Sequence, residues 1–292
     1  MANLKEVRIR IASVNNTKQL TTAMKLVSAS KLRKAQNNIQ KLRPYAGKLK
    51  EIMNRISASM DELPEGGVFD VRKPEKILCV VYSSNKGLCG AFNSNLGKHL
   101  KAFVETEYPE QLKAGNIDYY SVGSKVPVFM KKYGVVFSKA YNDLIDKPNY
   151  EDLEKLASEL IQEYIDSRYD AIHLFYNEFK NAATQRPIEE TFLPFEMSDD
   201  EGGVAETDYL MEPEEEEMFK TLVPKTLKIQ MFKALLDSVA SEHGARMTAM
   251  HKATDNATEL LKELKLSYNK ARQAAITNEI IEIVSGAEAL KG

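Results

Sequence analysis

The stretch LRKAQNNIQKLRPYAGKLKEIMNRISASM, residues 32–60, decides the fold. Its apolar residues fall at Leu32, Ala35, Ile39, Leu42, Ala46, Leu49, Met53, Ile56 and Met60. That alternating three-four spacing is a helical seam, and its average of about 3.5 residues imposes a left-handed supercoil. Upstream, Leu4, Val7, Ile11 and Val14 open the same pattern, which drifts between Lys18 and Lys25. Pro44 should remove one helical hydrogen bond, so a bend or break is expected there. The other end repeats the signature at Ala257, Leu261, Leu264, Tyr268, Ala271 and Ala275, then Ile280, Ile283, Ala287 and Leu290. A helix over 4–60 is about 85 Å long and one over 225–290 about 100 Å. A compact chain of this length has a radius of gyration of only about 19 Å. Neither helix fits inside such a globule, so the sequence predicts a globular body with an antiparallel two-helix coiled coil projecting from it.

Composition narrows the class. The chain has 292 residues, 43% of them hydrophobic, and a net charge of −2. No apolar run approaches the roughly eighteen residues that span a bilayer, and Met1 opens no signal or transit pattern. Cys79 and Cys89 fit neither a redox pair nor a zinc site and read as free thiols in a reducing, cytoplasmic compartment. The small net charge hides an asymmetry: residues 1–55 carry thirteen Lys and Arg against Glu6 and Glu51, a balance of +11. Residues 197–219 carry ten Asp and Glu and no Lys or Arg, with Gly202, Gly203 and Pro213, as in an acidic surface loop. The basic helix raises the possibility of a nucleic-acid binder. Tyr45 is the sole aromatic in residues 1–60, so there is no base-stacking platform. A solvated coiled-coil flank, or a basic surface turning inside an acidic protein collar, fits better.

Between the helices the pattern changes to strands alternating with helices. Lys76 to Ser83 is a buried strand, followed by a helix over about Ala91 to Val104. Ile117 to Val122 is a second strand, Val126 to Tyr133 a short helix and Val135 to Ala140 a third strand. Asn149 caps a helix reaching about Ser167. Ala171 to Tyr176 and Glu189 to Phe195 complete the set. The expected fold class is α/β: a long antiparallel coiled coil of the terminal helices plus a central Rossmann-like α/β domain. The expected divisions are 1–60, 75–197, an acidic loop over 198–219, and 220–292.

Chemistry is scarce. The turn Ser83-Ser84-Asn85-Lys86-Gly87-Leu88-Cys89-Gly90 stands where a phosphate would sit, but it matches neither G-x-G-x-x-G nor G-x-x-x-x-G-K-[ST]. His99, His173, His243 and His251 show no metal-ligand spacing, and there is no G-x-S-x-G or H-E-x-x-H motif. No catalytic residue, cofactor or metal is expected. An α/β nucleotide-binding protein with coiled-coil extensions is the alternative reading.

Four motifs carry a family resemblance. They are Ile11 to Thr17 with Thr22 to Ala35, Lys86 to Asn93 (KGLCGAFN), Ser241 to Met247 (SEHGARM), and Tyr268 to Glu279 with Ile283 to Ala287. In order and spacing they resemble the γ subunits of bacterial F-type ATP synthases over nearly the whole chain. The resemblance implies a central-stalk rotor. Its coiled coil runs up a ring of α and β subunits, and its body sits with ε on the membrane ring of c subunits. Proton-driven rotation would then cycle the β subunits through ATP synthesis. It implies a non-catalytic subunit in single copy, peripheral to the cytoplasmic face of the inner membrane, with no nucleic acid bound. Residue by residue, it implies that Met24, Arg272, Gln273, Thr277, Glu279 and Glu282 contact β subunits. Tyr176, Asn177 and Phe179 fall in a foot segment near ε and the c ring. Ser84-Asn85-Lys86 departs from the family's usual Asp-Arg step, and Asn278 replaces a common Gln.

Overall fold

The computed structural model describes residues 4–59, 66–195 and 215–289. It divides into a body, residues 29–246, and a terminal unit of residues 1–28 with 247–292.

The body is built on five strands: β1 (Ile77–Tyr82), β2 (Ile117–Val122), β3 (Lys139–Ala140), β4 (Ala171–Phe179) and β5 (Gln185–Leu193). Their order is β3-β2-β1-β4-β5, parallel except for β5, which runs antiparallel to β4. The central position of β1 explains its sequence, ILCVVY, in which every residue is buried because both faces are covered. Ile77, Cys79 and Val81 face α2 (Phe92–Glu107) and α4 (Lys125–Met130), packing with Leu96, Leu100, Val126 and Met130. Successive strand residues alternate faces. Tyr120 of β2 turns to the opposite side, where its hydroxyl donates to Glu163 of α6 (Tyr150–Ile165). Lys228 of α7 (Glu215–Ala289) donates to Glu154 of α6, so α7 lies beside α6 on that side. As expected from the sequence, Asn149 caps α6, its side chain accepting from the Glu151 amide at 3.2 Å. Within the body, α1 (Leu4–Ser59) buries Leu32, Ala35, Ile39, Leu49, Met53 and Ile56, the seam read from residues 32–60.

Several boundaries differ from expectation, each for a local reason. Only Lys139–Ala140 pair as β3, because Gly134 takes a left-handed turn and the Val135 amide closes back on the Met130 carbonyl. β4 runs on to Phe179 and β5 starts at Gln185, joined by a turn in which Asn181 Oδ1 accepts from the Ala183 and Thr184 amides. α7 begins at Glu215 and passes through Pro224, and α1 passes through Pro44 without a break. An interior proline costs about 3 kcal/mol. Val223 and Leu227 beside Pro224 are fully buried, and each such side chain returns about 1.5–3 kcal/mol. The acidic tract from Asp199 falls outside the described residues up to 214; Glu215, Glu216 and Glu217 open α7.

In the terminal unit the two helices run antiparallel. Arg8 donates to the Tyr268 hydroxyl at 3.0 Å, Thr254 to Thr21 at 2.8 Å, and Lys25 lies 3.4 Å from His251. The drift in the sequence pattern is a polar stretch of the seam: Thr21 and Ser28 are buried there in place of apolar residues.

Two positions carry stability predictions. Gly123 has φ +106°, and a Cβ there would come within 2.1 Å of the Ser83 carbonyl oxygen. Gly123→Ala should cost about 3 kcal/mol or more in chemical denaturation, since neither backbone segment can yield. Asp237 on α7 is 8% exposed. Burial pushes its carboxyl up to about 6; Glu178 and Glu190 push the same way, while Lys233 and Arg43 oppose them. The folded state therefore holds the proton more tightly than the unfolded chain. Stability falls as pH rises from about 4 to about 6 and is flat beyond. Asp237→Asn should stabilise the fold by about 1–3 kcal/mol above pH 6, with the gain vanishing near pH 4. Denaturation midpoints at the two pH values check the sign.

Candidate functional site

Past Arg272, every described residue of α7 is exposed. The register explains this. Arg8 already meets Tyr268, so the first described residue of α1, Leu4, reaches only about one turn further along α7. Ile276, Ile280, Ile281, Ile283 and Val284 nevertheless stand in this region, 44–71% exposed. At about 100° per residue, Ile276, Ile280 and Ile283 form one stripe with Ala287. Arg272 and Gln273 lie at its base, one turn before Ile276, and Thr277 and Glu279 border it. Glu282 points to the opposite side of the helix. The Thr277 hydroxyl donates to the Gln273 backbone carbonyl at 2.9 Å, and Gln273 is exposed. A stripe this apolar on a charged helix marks a surface made to be covered.

Met24 is not part of that cluster. It is half-buried on α1, next to Lys25 and hence opposite the level of His251. That is about 30 Å along the helix from Arg272. Leu20 and Val27, four residues before and three after it and so on its face, are 62% and 57% exposed, so Met24 belongs to a second apolar surface.

In the body, the turn after β1 is locked from an unexpected direction. Arg246 of α7, 6% exposed, donates to the Lys86 carbonyl at 2.9 Å and to the Gly87 carbonyl at 3.2 Å. Glu242, equally buried, holds the guanidinium at 2.7 Å. His243 lies 3.3 Å from Arg246; its own burial, and then that cation, push its pKa down to about 4. Ser84 donates to the Lys86 carbonyl, and Asn93 donates to Ser84 and toward the Cys89 sulfur. The result is Leu88 at φ +63°, 63% exposed. A left-handed leucine costs about 1–2 kcal/mol. The charge-assisted bonds from Arg246 are worth about 1.5–3 kcal/mol each and outweigh it. This turn aims carbonyls at a cation, whereas a phosphate cradle aims amide hydrogens at an anion. The nucleotide-binding alternative therefore finds no support in its geometry. Burial raises both Cys79 and Cys89 thiols, so neither is poised as a nucleophile. Among the described residues no group of three His, Cys, Asp or Glu side chains could hold a metal.

The foot segment lies mostly in the interior of the body. Tyr176 and Asn177 are each 1% exposed. The Tyr176 hydroxyl donates to Glu190 on β5, and the Asn177 carbonyl accepts from Ser241 of α7. Both belong to the strand interior of the body. Phe179 is half-buried beside Gly244. Sequence reasoning missed the Arg246 lock and the outward Leu88. The signal was the motif SEHGARM itself, whose arginine bonds a turn 159 residues away.

A family model described as ATP synthase matches residues 3–290. The ATP synthase gamma chain of Christiangramia forsetii is 53% identical over 293 aligned positions, covering the whole of both chains. A chain in the solved structure of the Euglena gracilis mitochondrial ATP synthase (OSCP, F1 and c-ring) superposes with a TM-score of 0.68 at 21% identity. That match covers 98% of this chain and 94% of the other. A chain in a Tetrahymena thermophila structure of the central stalk and c-ring gives 0.55 at 24% identity, over 80% and 99%. Both structural matches bear on the fold. Matched from end to end by the family model and by a full-length relative sharing half its residues, this chain belongs to the ATP synthase gamma chain family.

Proposed function

We propose that the chain is the central-stalk rotor subunit of an F-type ATP synthase. It couples proton-driven rotation of a c ring to the conformational cycle of the catalytic β subunits. The observation that carries this reading is the bare apolar end of α7, with Arg272 and Gln273 at the base of its stripe. An exposed stripe of that kind suits a sleeve of surrounding subunits better than water. The work is mechanical: the chain transmits torque through packed helices and lowers no chemical barrier itself. One copy stands inside a ring of α and β subunits, with ε and the c ring at its foot. Attachment to the membrane is peripheral and through the complex. No described helix is long and apolar enough to cross a membrane. The cytoplasmic face of the bacterial inner membrane is the corresponding location.

Within this reading Arg272 and Gln273 catch loops of the β subunits, Arg through its planar bidentate fork. Thr277 and Glu279 border the same contact, Glu282 meets the sleeve from the other side, and Met24 bears on a β subunit lower down. Leu88, held out by Arg246, is a further contact that turns with the shaft.

Reconstitution with purified α and β subunits tests the proposal. Size exclusion should return a complex of three α, three β and one copy of this chain. Arg272→Ala and Gln273→Ala should each lower its ATP hydrolysis several-fold, up to about tenfold, or about 1.4 kcal/mol. Failure to co-elute, or turnover indifferent to both substitutions, overturns it. Arg246→Lys keeps the charge but cannot span two carbonyls. It should release the Lys86–Cys89 turn, lowering coupled turnover while leaving assembly with α and β intact, which size exclusion and the same assay check.

A further inference from the structure

We propose that the segment from Lys125 to Val136 is a docking surface for an acidic, apolar-faced polypeptide contributed by a partner subunit. It rests on the rotor reading only in taking that partner from the same complex. With Tyr176 and Asn177 buried, the body needs another surface for a partner, and this segment supplies one. Residues 123–139 contain four lysines and no Asp or Glu. Lys139 is neutralised by Glu159 and Glu163. Lys125, Lys131 and Lys132 have no carboxylate partner among the described residues. Among them stand Val128, 70% exposed, Val136, 81% exposed, and Tyr133, 42% exposed. Exposed apolar side chains rimmed by unneutralised cations call for a surface with small apolar groups flanked by carboxylates.

Three features favour a protein over an anionic lipid surface. Lys132 Nζ is held 3.9 Å above the Phe129 ring and 4.8 Å from that of Tyr133, while Lys101 approaches Tyr133 at 5.0 Å. Cations stacked in this way are pre-ordered for point contacts, which a fluid headgroup layer does not reward. α4 has six residues and the 3-10 turn Lys131–Tyr133 only three, too short to lie as an interfacial amphipathic helix. The exposed aliphatics are valines, suited to packing against a fixed partner.

The test uses the purified intact complex. A carbodiimide should join Lys131 or Lys132 to a carboxylate of one neighbouring subunit, located by mass spectrometry. Lys131→Glu with Lys132→Glu should abolish that cross-link and weaken retention of that subunit about tenfold. Lys131→Arg with Lys132→Arg should retain it. Absence of a cross-link, or unchanged retention in the charge-reversed complex, overturns the proposal. So does charge-dependent binding of the chain to phosphatidylglycerol vesicles in its place, which would assign the surface to a membrane. Failure of the rotor reading would show separately, as loss of α and β from wild type and variants alike.

Discussion

From Ala234 to Glu242, α7 is buried on every side. A helix interior to a protein is ordinarily apolar all round. This one carries Asp237, Ser238, Ser241 and Glu242, with Arg246 one turn on, and each polar group must be satisfied or penalised. Ser238 donates to the Tyr82 carbonyl at the end of β1 and Ser241 to the Asn177 carbonyl on β4. Arg246 and Glu242 neutralise one another and fix the turn after β1. These bonds tie α7 to the parallel core of the sheet at three successive levels, and small residues (Ala234, Ala240, Ala245) between them keep the helix close. Asp237 alone of these has no hydrogen-bond partner among the described residues, and its raised pKa is the residual cost of the arrangement.

The same bonds explain why the body looks like a nucleotide-binding fold and yet lacks the site. Parallel strands β3-β2-β1-β4 end in a crevice where such folds hold phosphates. Here Arg246 already uses the carbonyls of the turn, and the turn's geometry is spent on holding Leu88 outward. A crevice closed by the chain's own helix has exchanged ligand binding for rigidity. That exchange suits a part whose work is to transmit force.

Much of this was legible in the sequence, for identifiable reasons. β1 was visible because a central parallel strand is apolar throughout, and α6 because Asn149 and its acidic first turn mark a start. The seam of α1 over 32–60 was visible because its period is local. The remaining misreadings came from tertiary context overriding local rules. The polar residues Asn177 and Glu178 hid the second half of β4, although strand pairing and a bond from α7 stabilise it. Pro224 suggested a helix start where burial of Val223 and Leu227 carries the helix through. Seam positions at Thr21 and Ser28 read as drift because their hydroxyls are satisfied by hydrogen bonds that a hydrophobic pattern cannot register, Thr21 with Thr254 across the seam and Ser28 with the Met24 carbonyl of its own helix. Tyr176 and Asn177 lay in a recognisable segment, but their burial depends on β5 and α7 lying against them.

The contrast between the two units then becomes a division of labour within single helices. In the body α7 is buried on every side from Ala234 to Glu242, whereas in the terminal unit its last described turns keep isoleucines and a valine facing water. Leaving five large aliphatics exposed forfeits on the order of 1.5–3 kcal/mol apiece relative to burial. A free chain has no use for that cost, and in the proposed rotor it would be recovered when other subunits close around the helix. A surface that grips every partner with equal strength at every angle would stall rotation. In the proposed rotor, apolar contact would supply the non-directional part of the fit, and the few polar groups at the base of the stripe the angular part. The side chains with directional bonding, Arg272 and Gln273, stand where the apolar stripe begins. In the proposed rotor, a hydrogen bond made there at one angle and broken at the next would change the energy of rotation without loosening the sleeve.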